Sequence, residues 1–265
     1  MSSPSATTNH LHSARFENRV ALVTGGTSGI GRATALAYGR EGAQVVVAGR
    51  RVPEGEAVVR SITDAGGAAI FVRADVTREL DVVNLVARTL ERFGRLDVAF
   101  NNAGLLGPRA PLVEQTPEDY ERIFDANVKS VYFSLRHEIP AMLRVGGGAI
   151  VNNASIGGSL GFPNVGLYVG AKHAVVGLTR TAALDYARQN IRVNAVSPAG
   201  IQTDMLDTAF GAGVTDRKQA FAEAHPVGRL GSPEEIADAV LYLTAPGASF
   251  VTGHDLLVDG GYAAQ

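Results

Sequence analysis

The sequence predicts an α/β fold: a single doubly wound domain whose central, mostly parallel, seven-stranded sheet carries helices on both faces. Three observations predict it. Short Val-rich runs alternate with longer amphipathic stretches, the rhythm of strands joined by crossover helices. The short runs are continuously apolar, as in Val45-Val46-Val47, which suits strands buried on both faces. A glycine-rich turn closes the first run and opens the first helical stretch, at the end of the strand where such sheets hold ligands.

In chain order, residues 1–15 come first: Ser/Thr-rich, without the apolar stretch of a signal peptide, and expected to be a disordered leader. The domain follows over 16–265. Strands are expected at 20–24, 44–48, 69–73, 98–101, 149–153, 192–196 and 255–258. Helices are expected near 29–41, 53–65, 79–93, 117–145, 168–189 and 233–244. No linker or short repeat divides them, and a chain of this length buries roughly three quarters of its unfolded surface. The segment 203–226 breaks the rhythm, being Gly-dotted and weakly periodic. A stretch of that length reads as a substrate lid, a surface helix pair, or both.

Composition narrows the function. The net charge is -2, with 46% hydrophobic and 19% charged residues, and no basic patch marks a nucleic-acid or anionic-membrane partner. There is no cysteine, which excludes disulfides and thiolate metal sites. The six histidines have no metal-ligand spacing beyond His10 and His12 in the leader, so no metal is expected. No apolar run is long enough to span a bilayer, and a cytoplasmic enzyme is the default expectation.

The turn Thr24-Gly25-Gly26-Thr27-Ser28-Gly29-Ile30-Gly31 has the context of a dinucleotide site. Gly25 allows the tight turn, Gly29 the approach of a pyrophosphate, and Gly31 close helix–strand packing; the helix N-terminus offers free N–H groups. The second strand ends Gly49-Arg50-Arg51 with no acid before Glu54. Arg50 or Arg51 suits the 2′-phosphate of NADP(H), which is preferred, although both also suit solvated loop positions and NAD(H) stays possible. Ala74-Asp75-Val76 follows the third strand, where Asp75 reads either as an acceptor for adenine or as a turn residue. Asn101-Asn102-Ala103-Gly104 follows the fourth, and its small residues let a cofactor lie close while the Asn side chains tie strands together.

Tyr168 and Lys172 are four apart and share one helix face, with Ser155 thirteen positions upstream of Tyr168. A phenol of pKa about 10 needs roughly 4 kcal/mol of help to act as a base near neutrality, and an adjacent ammonium favours its ionised form. Ser155 adds a hydroxyl for a substrate oxygen.

Together these motifs resemble the short-chain dehydrogenase/reductase family of the single-domain, Rossmann-type kind, from about Arg15 to the C-terminus. The resemblance implies Tyr168 as general acid/base, Lys172 lowering its pKa and binding the nicotinamide ribose, Ser155 polarising the carbonyl, and Asn127 holding a water in a proton relay. It also implies Pro198, Gly200, Ile201 and Thr203 beside the nicotinamide, with Ala199 standing where the family usually runs Pro-Gly. The implied chemistry is hydride transfer between a ketone or aldehyde and an alcohol, in a homotetramer. Leu105, Leu106, Ile156, Phe162, Val165, Met205 and Leu206 are the candidate apolar substrate wall, which favours a hydrophobic substrate and a carbonyl reductase. Gln202 and His225 are possible polar additions, with His225 better read as a solvated loop residue. The competing classes are a catalytically silent dinucleotide-binding regulator and a Rossmann methyltransferase. The intact set Asn127, Ser155, Tyr168 and Lys172 argues against the first, the second does not explain the Ser/Tyr/Lys spacing, and the compact length argues against a dehydratase or epimerase.

Overall fold

In the computed structural model, which describes residues 14–210 and 215–265, seven strands form one sheet in the order β3-β2-β1-β4-β5-β6-β7. The strands are β1 Val20–Thr24, β2 Gln44–Gly49, β3 Ala68–Arg73, β4 Val98–Asn101, β5 Gly148–Asn153, β6 Ile191–Pro198 and β7 Asp255–Val258. All six pairings are parallel. The strand order reverses between β1 and β4, which opens a crevice at their carboxyl ends.

Helices α1 Gly29–Arg40, α2 Val52–Asp64 and α9 Pro233–Thr244 cover one face, while α3 Glu79–Phe93, α5 Ser130–Leu143 and α6 Gly166–Tyr186 cover the other. The period-2 alternation of side chains explains the continuous apolar runs. Ala21, Val23, Val45 and Val47 enter the first core, and Val20, Leu22, Val46 and Ala48 enter the second. Leu22 is 1% exposed, and its truncation to Ala would cost about 2–5 kcal/mol. Asp97, at the far end of β4, is buried. Burial opposes its ionisation, but hydrogen bonds from Arg95, the Val20 amide and Arg19 outweigh that and hold its carboxyl below the usual range.

Two expectations change, and one of the alternatives for 203–226 is met. The helix expected over 117–145 is α4 Pro117–Phe124, a π-helical turn Asp125–Lys129, and then α5. The segment 203–226 contains α7 Asp204–Phe210 and α8 Thr215–Glu223, a helix pair whose Met205, Leu206 and Phe221 line a cleft, as a lid would. At the end of the expected leader, Arg15 pairs with Glu41 at 2.8 Å and the Ala14 carbonyl accepts from the Glu17 amide; residues 1–13 lie outside the described residues.

Candidate active site

The crevice holds two connected clefts. One, of about 800 Å³, is lined by Gly25, Thr27, Ser28, Gly29, Ile30, Arg50, Arg51, Asp75, Val76, Asn102, Ala103 and Gly104, bringing together the residues expected at the phosphate and adenosine end. The other, of about 400 Å³, is lined by Ser155, Tyr168 and Lys172 with an apolar wall. Ile30, Asn102, Gly104, Leu105, Asn153, Thr203 and Met205 line both.

The glycine turn fits a dinucleotide. Gly25 and Gly29 have φ of +62° and +50°, the left-handed region that favours glycine. A Cβ on Gly31 would stand 2.3 Å from the Gly25 carbonyl oxygen and 2.5 Å from Asn102 Nδ2, so nothing larger than glycine fits. Ser28 precedes α1 in an extended conformation but makes no capping bond to it, and no acid occupies the first turn. Its hydroxyl instead accepts from Arg51, 2.5 Å away, and the same Nη2 reaches Thr27 Oγ1 at 3.1 Å. Free amides and a guanidinium therefore face the same cleft, a donor set suited to phosphate.

Asn102 fastens this turn to the fourth strand. Its amide nitrogen donates to the Thr24 and Gly25 carbonyls, and its oxygen accepts from Asn153 Nδ2 at 2.9 Å. Asn101 points into the protein, donating to Glu138 and Asn152. Asp75 lines the cleft, but its Oδ1 accepts from both the amide and the hydroxyl of Thr77, a turn-forming arrangement.

Ser155 leads out of β5 and caps the short turn Ile156–Gly158, with its hydroxyl accepting from the Gly157 amide at 3.1 Å. Its hydroxyl also donates to the Pro198 carbonyl at 3.5 Å, and it lines the same cleft as the Tyr168 phenol. Tyr168 and Lys172 share one face of α6, as their spacing predicts, and the ammonium lies 5.6 Å from the phenol ring centroid. Lys172 is 5% exposed, and its Nζ donates to the Asn153 carbonyl at 2.8 Å. Burial lowers its pKa to about 8. Burial also raises the Tyr168 pKa, against a smaller downward pull from Ser155. The direction expected from Lys172 alone is thus reversed, because enclosing a phenolate costs more than these neighbours return.

Asn127 sits in the π-helical turn, 1% exposed. Its Nδ2 donates to the Ile123 carbonyl one turn back and to the Leu105 carbonyl, and its Oδ1 accepts from the Leu105 amide at 3.3 Å. Wider turns of this kind mark functional positions in helices. Here the side chain clamps the cleft loop after β4.

The candidate substrate residues Leu105, Leu106, Ile156, Phe162, Val165, Met205 and Leu206 all line the smaller cleft, as do Pro198, Ile201 and Thr203. Three expectations differ from the structure. Gly200 lines neither cleft: a Cβ there would meet Phe221, Leu230 and His225, so it faces the protein interior while Ala199 lines the smaller cleft. Gln202 is exposed and lines neither cleft, its backbone being drawn to Gly231. His225, expected in solvent, is 2% exposed. The sequence reading also missed Arg109, Asn153, Pro163, Phe221 and Tyr262, which complete the smaller cleft. The C-terminal position of Tyr262 gave no local signal, and only the fold brings it to the cleft.

A family model described as enoyl-(acyl carrier protein) reductase matches residues 25–263. Cyclohexanol dehydrogenase from Acinetobacter sp. (strain SE19) is 42% identical over 96% of this chain and 99% of its own. Cis-4-hydroxycyclohexanecarboxylate dehydrogenase from Sinomonas cyclohexanicum is 44% identical over 94% and 98%. The crystal structure of levodione reductase superposes with a TM-score of 0.92 at 36% identity, covering 94% of this chain and 99% of that one. A further solved chain from Beutenbergia cavernae, described as a candidate NAD(P)-dependent gluconate 5-dehydrogenase with NADP bound at low occupancy, reaches a TM-score of 0.88 at 36% identity over 94% and 98%. The chain belongs to the short-chain dehydrogenase/reductase family. It is an NAD(P)-dependent oxidoreductase acting on the CH–OH group of a small molecule, and the alternative of a catalytically silent regulator finds no support. No helix of the described residues is long and apolar enough to cross a membrane, and no group of three or more potential metal ligands occurs among them.

Proposed function

We propose that the protein interconverts an alicyclic secondary alcohol and its ketone, with Tyr168 as proton donor and acceptor. The carrying observation is the convergence of Ser155, Tyr168 and Lys172 on an apolar cleft that opens directly into the phosphate cleft. The nicotinamide, when bound, supplies or takes the hydride at the carbinol carbon. In reduction the Tyr168 hydroxyl gives its proton to the developing alkoxide, and in oxidation the phenolate takes the alcohol proton. Ser155 holds the substrate oxygen beside the phenol. Lys172, anchored by the Asn153 carbonyl, holds positive charge beneath the ring and is the candidate ligand of the nicotinamide ribose. Asn127 is the candidate holder of a relay water.

An apolar six-carbon ring suits this wall. At about 0.8 kcal/mol per methylene, burial of its five methylenes is worth about 4 kcal/mol, enough for about millimolar binding. Two relatives named for ring alcohols support the class. Arg51, drawn over the turn by Thr27 and Ser28, supports NADP(H) over NAD(H), with Arg50 beside it. A homotetramer and a cytoplasmic location complete the proposal. Exposed Phe250 and Leu257, flanking and within the β7 edge, support association, which sedimentation equilibrium would test. The functional test is a spectrophotometric panel of cyclic, linear and polyhydroxylated alcohols and ketones with each cofactor. Turnover led by the ring compounds is expected. Preference for sugars, or no turnover of any of them, would refute the substrate class.

A further inference from the structure

His225 follows α8 at the end of the lid, and its two ring nitrogens have different partners. Nδ1 lies 2.7 Å from the Phe221 carbonyl oxygen, and Nε2 lies 3.2 Å from the Gly200 amide nitrogen. A carbonyl only accepts and an amide N–H only donates. The ring is therefore the neutral tautomer protonated on Nδ1, with both nitrogens used.

The ring's packing partners matter as much as its bonds. It stands edge-on to Phe221 at 5.1 Å and to Tyr262 at 5.2 Å between centroids. Tyr262 in turn packs against Phe162 at 6.0 Å. Phe162, Phe221 and Tyr262 all line the substrate cleft, whereas His225 does not touch it. Its other partner, Gly200, lies between Ala199 and Ile201, which face the cleft at the nicotinamide side. The glycine admits the ring: a Cβ there would stand 2.6 Å from Phe221 Cε1 and 3.1 Å from His225 Cε1. One buried imidazole thus joins the lid helix, the C-terminal tail and the loop after β6.

We infer that His225 is a positioning residue that sets the lid wall of the substrate cleft and locks it to the loop bearing Ala199 and Ile201. This rests on the proposed alcohol/ketone chemistry for its kinetic readout. It predicts a particular pattern. Loss of the imidazole loosens the wall that packs on the ring substrate, so KM rises, while Tyr168, Ser155 and Lys172, held by α6 and β5, keep kcat.

The test compares wild type with His225→Phe, His225→Gln and His225→Asn, using cyclohexanol kinetics, Tm, and amide hydrogen exchange at Gly200. Phe keeps a ring but neither hydrogen bond. Gln places an acceptor near the Nε2 position, and Asn a donor near the Nδ1 position. For His225→Phe, the expected result is a KM raised about tenfold with kcat changed less than about threefold, and faster exchange at Gly200. His225→Gln restores slow Gly200 exchange and His225→Asn does not. A lowered Tm with KM unchanged would make the histidine merely structural and overturn the inference, as would identical KM values in all variants. If His225→Phe fails to fold, the Gln and Asn pair decides by the same criteria. If wild type turns over no ring alcohol, the functional reading fails on its own. Gly200 exchange that is then equally slow in wild type and His225→Asn would overturn the positioning role separately.

Discussion

Replacing Glu138 by Gln should make the protein more stable, and increasingly so as pH rises. Glu138 lies on α5 at 1% exposure, with Oε2 accepting from Asn101 Nδ2 at 3.0 Å. The same amide nitrogen reaches Asn152, which donates to Thr179 at 2.9 Å. Burial raises the carboxyl from 4.5 to about 7, with the Asn101 bond pulling the other way. The unfolded chain loses this proton near its ordinary value, whereas the folded chain keeps it until about pH 7. Between those values the folded state binds more protons, so stability falls as pH rises through the window. At 1.36 kcal/mol per pH unit, the displacement amounts to about 3 kcal/mol, fully lost above pH 7. Gln keeps an oxygen for Asn101 and does not titrate. Urea denaturation of both proteins at pH 5, 6, 7 and 8 should show the difference moving in the variant's favour by about 3 kcal/mol. In Tm this is roughly 6–12 °C for a chain of this size. A difference constant across that range would refute the buried-proton argument.

Three further predictions concern the clefts. Arg51→Ala should raise the KM for NADPH about tenfold and leave that for NADH within about threefold, because an exposed guanidinium contributes only modestly; equal effects would remove Arg51 from the 2′-phosphate. Gly31→Ala forces a Cβ to within 2.3 Å of the Gly25 carbonyl and should weaken dinucleotide binding at least about tenfold, read by fluorescence titration. Unchanged affinity would mean that the turn does not hold the pyrophosphate. Because burial raises the Tyr168 pKa, the phenol is protonated at pH 7 and alcohol oxidation should climb from pH 7 to 9, whereas ketone reduction is already supported at neutrality. An oxidation rate falling over that range would contradict it.

The strands were legible because both sheet faces are covered: Val45, Val46 and Val47 alternate between the two cores, so the run is apolar without a break. The Tyr168–Lys172 pair was legible because helical spacing alone brings the two onto one face. What escaped depended on distant partners. The break at Asn127 follows from bonds to Leu105, twenty-two positions away, within a stretch of otherwise helical pattern. The burial of His225 and the inward turn of Gly200 depend on each other, and neither residue reveals the other locally. Spacing reveals the charge of Lys172 beside Tyr168 but not the burial that opposes it.

The central claim is that Tyr168 moves the substrate proton in a hydride-transfer reaction. The most direct measurement is kcat of Tyr168→Phe for cyclohexanone reduction, taken beside NADPH affinity by fluorescence titration. The account predicts a kcat reduced at least about a thousandfold, within the range for general acid catalysis, with cofactor affinity within about threefold of wild type. A variant that keeps more than a tenth of wild-type kcat at unchanged affinity would contradict it.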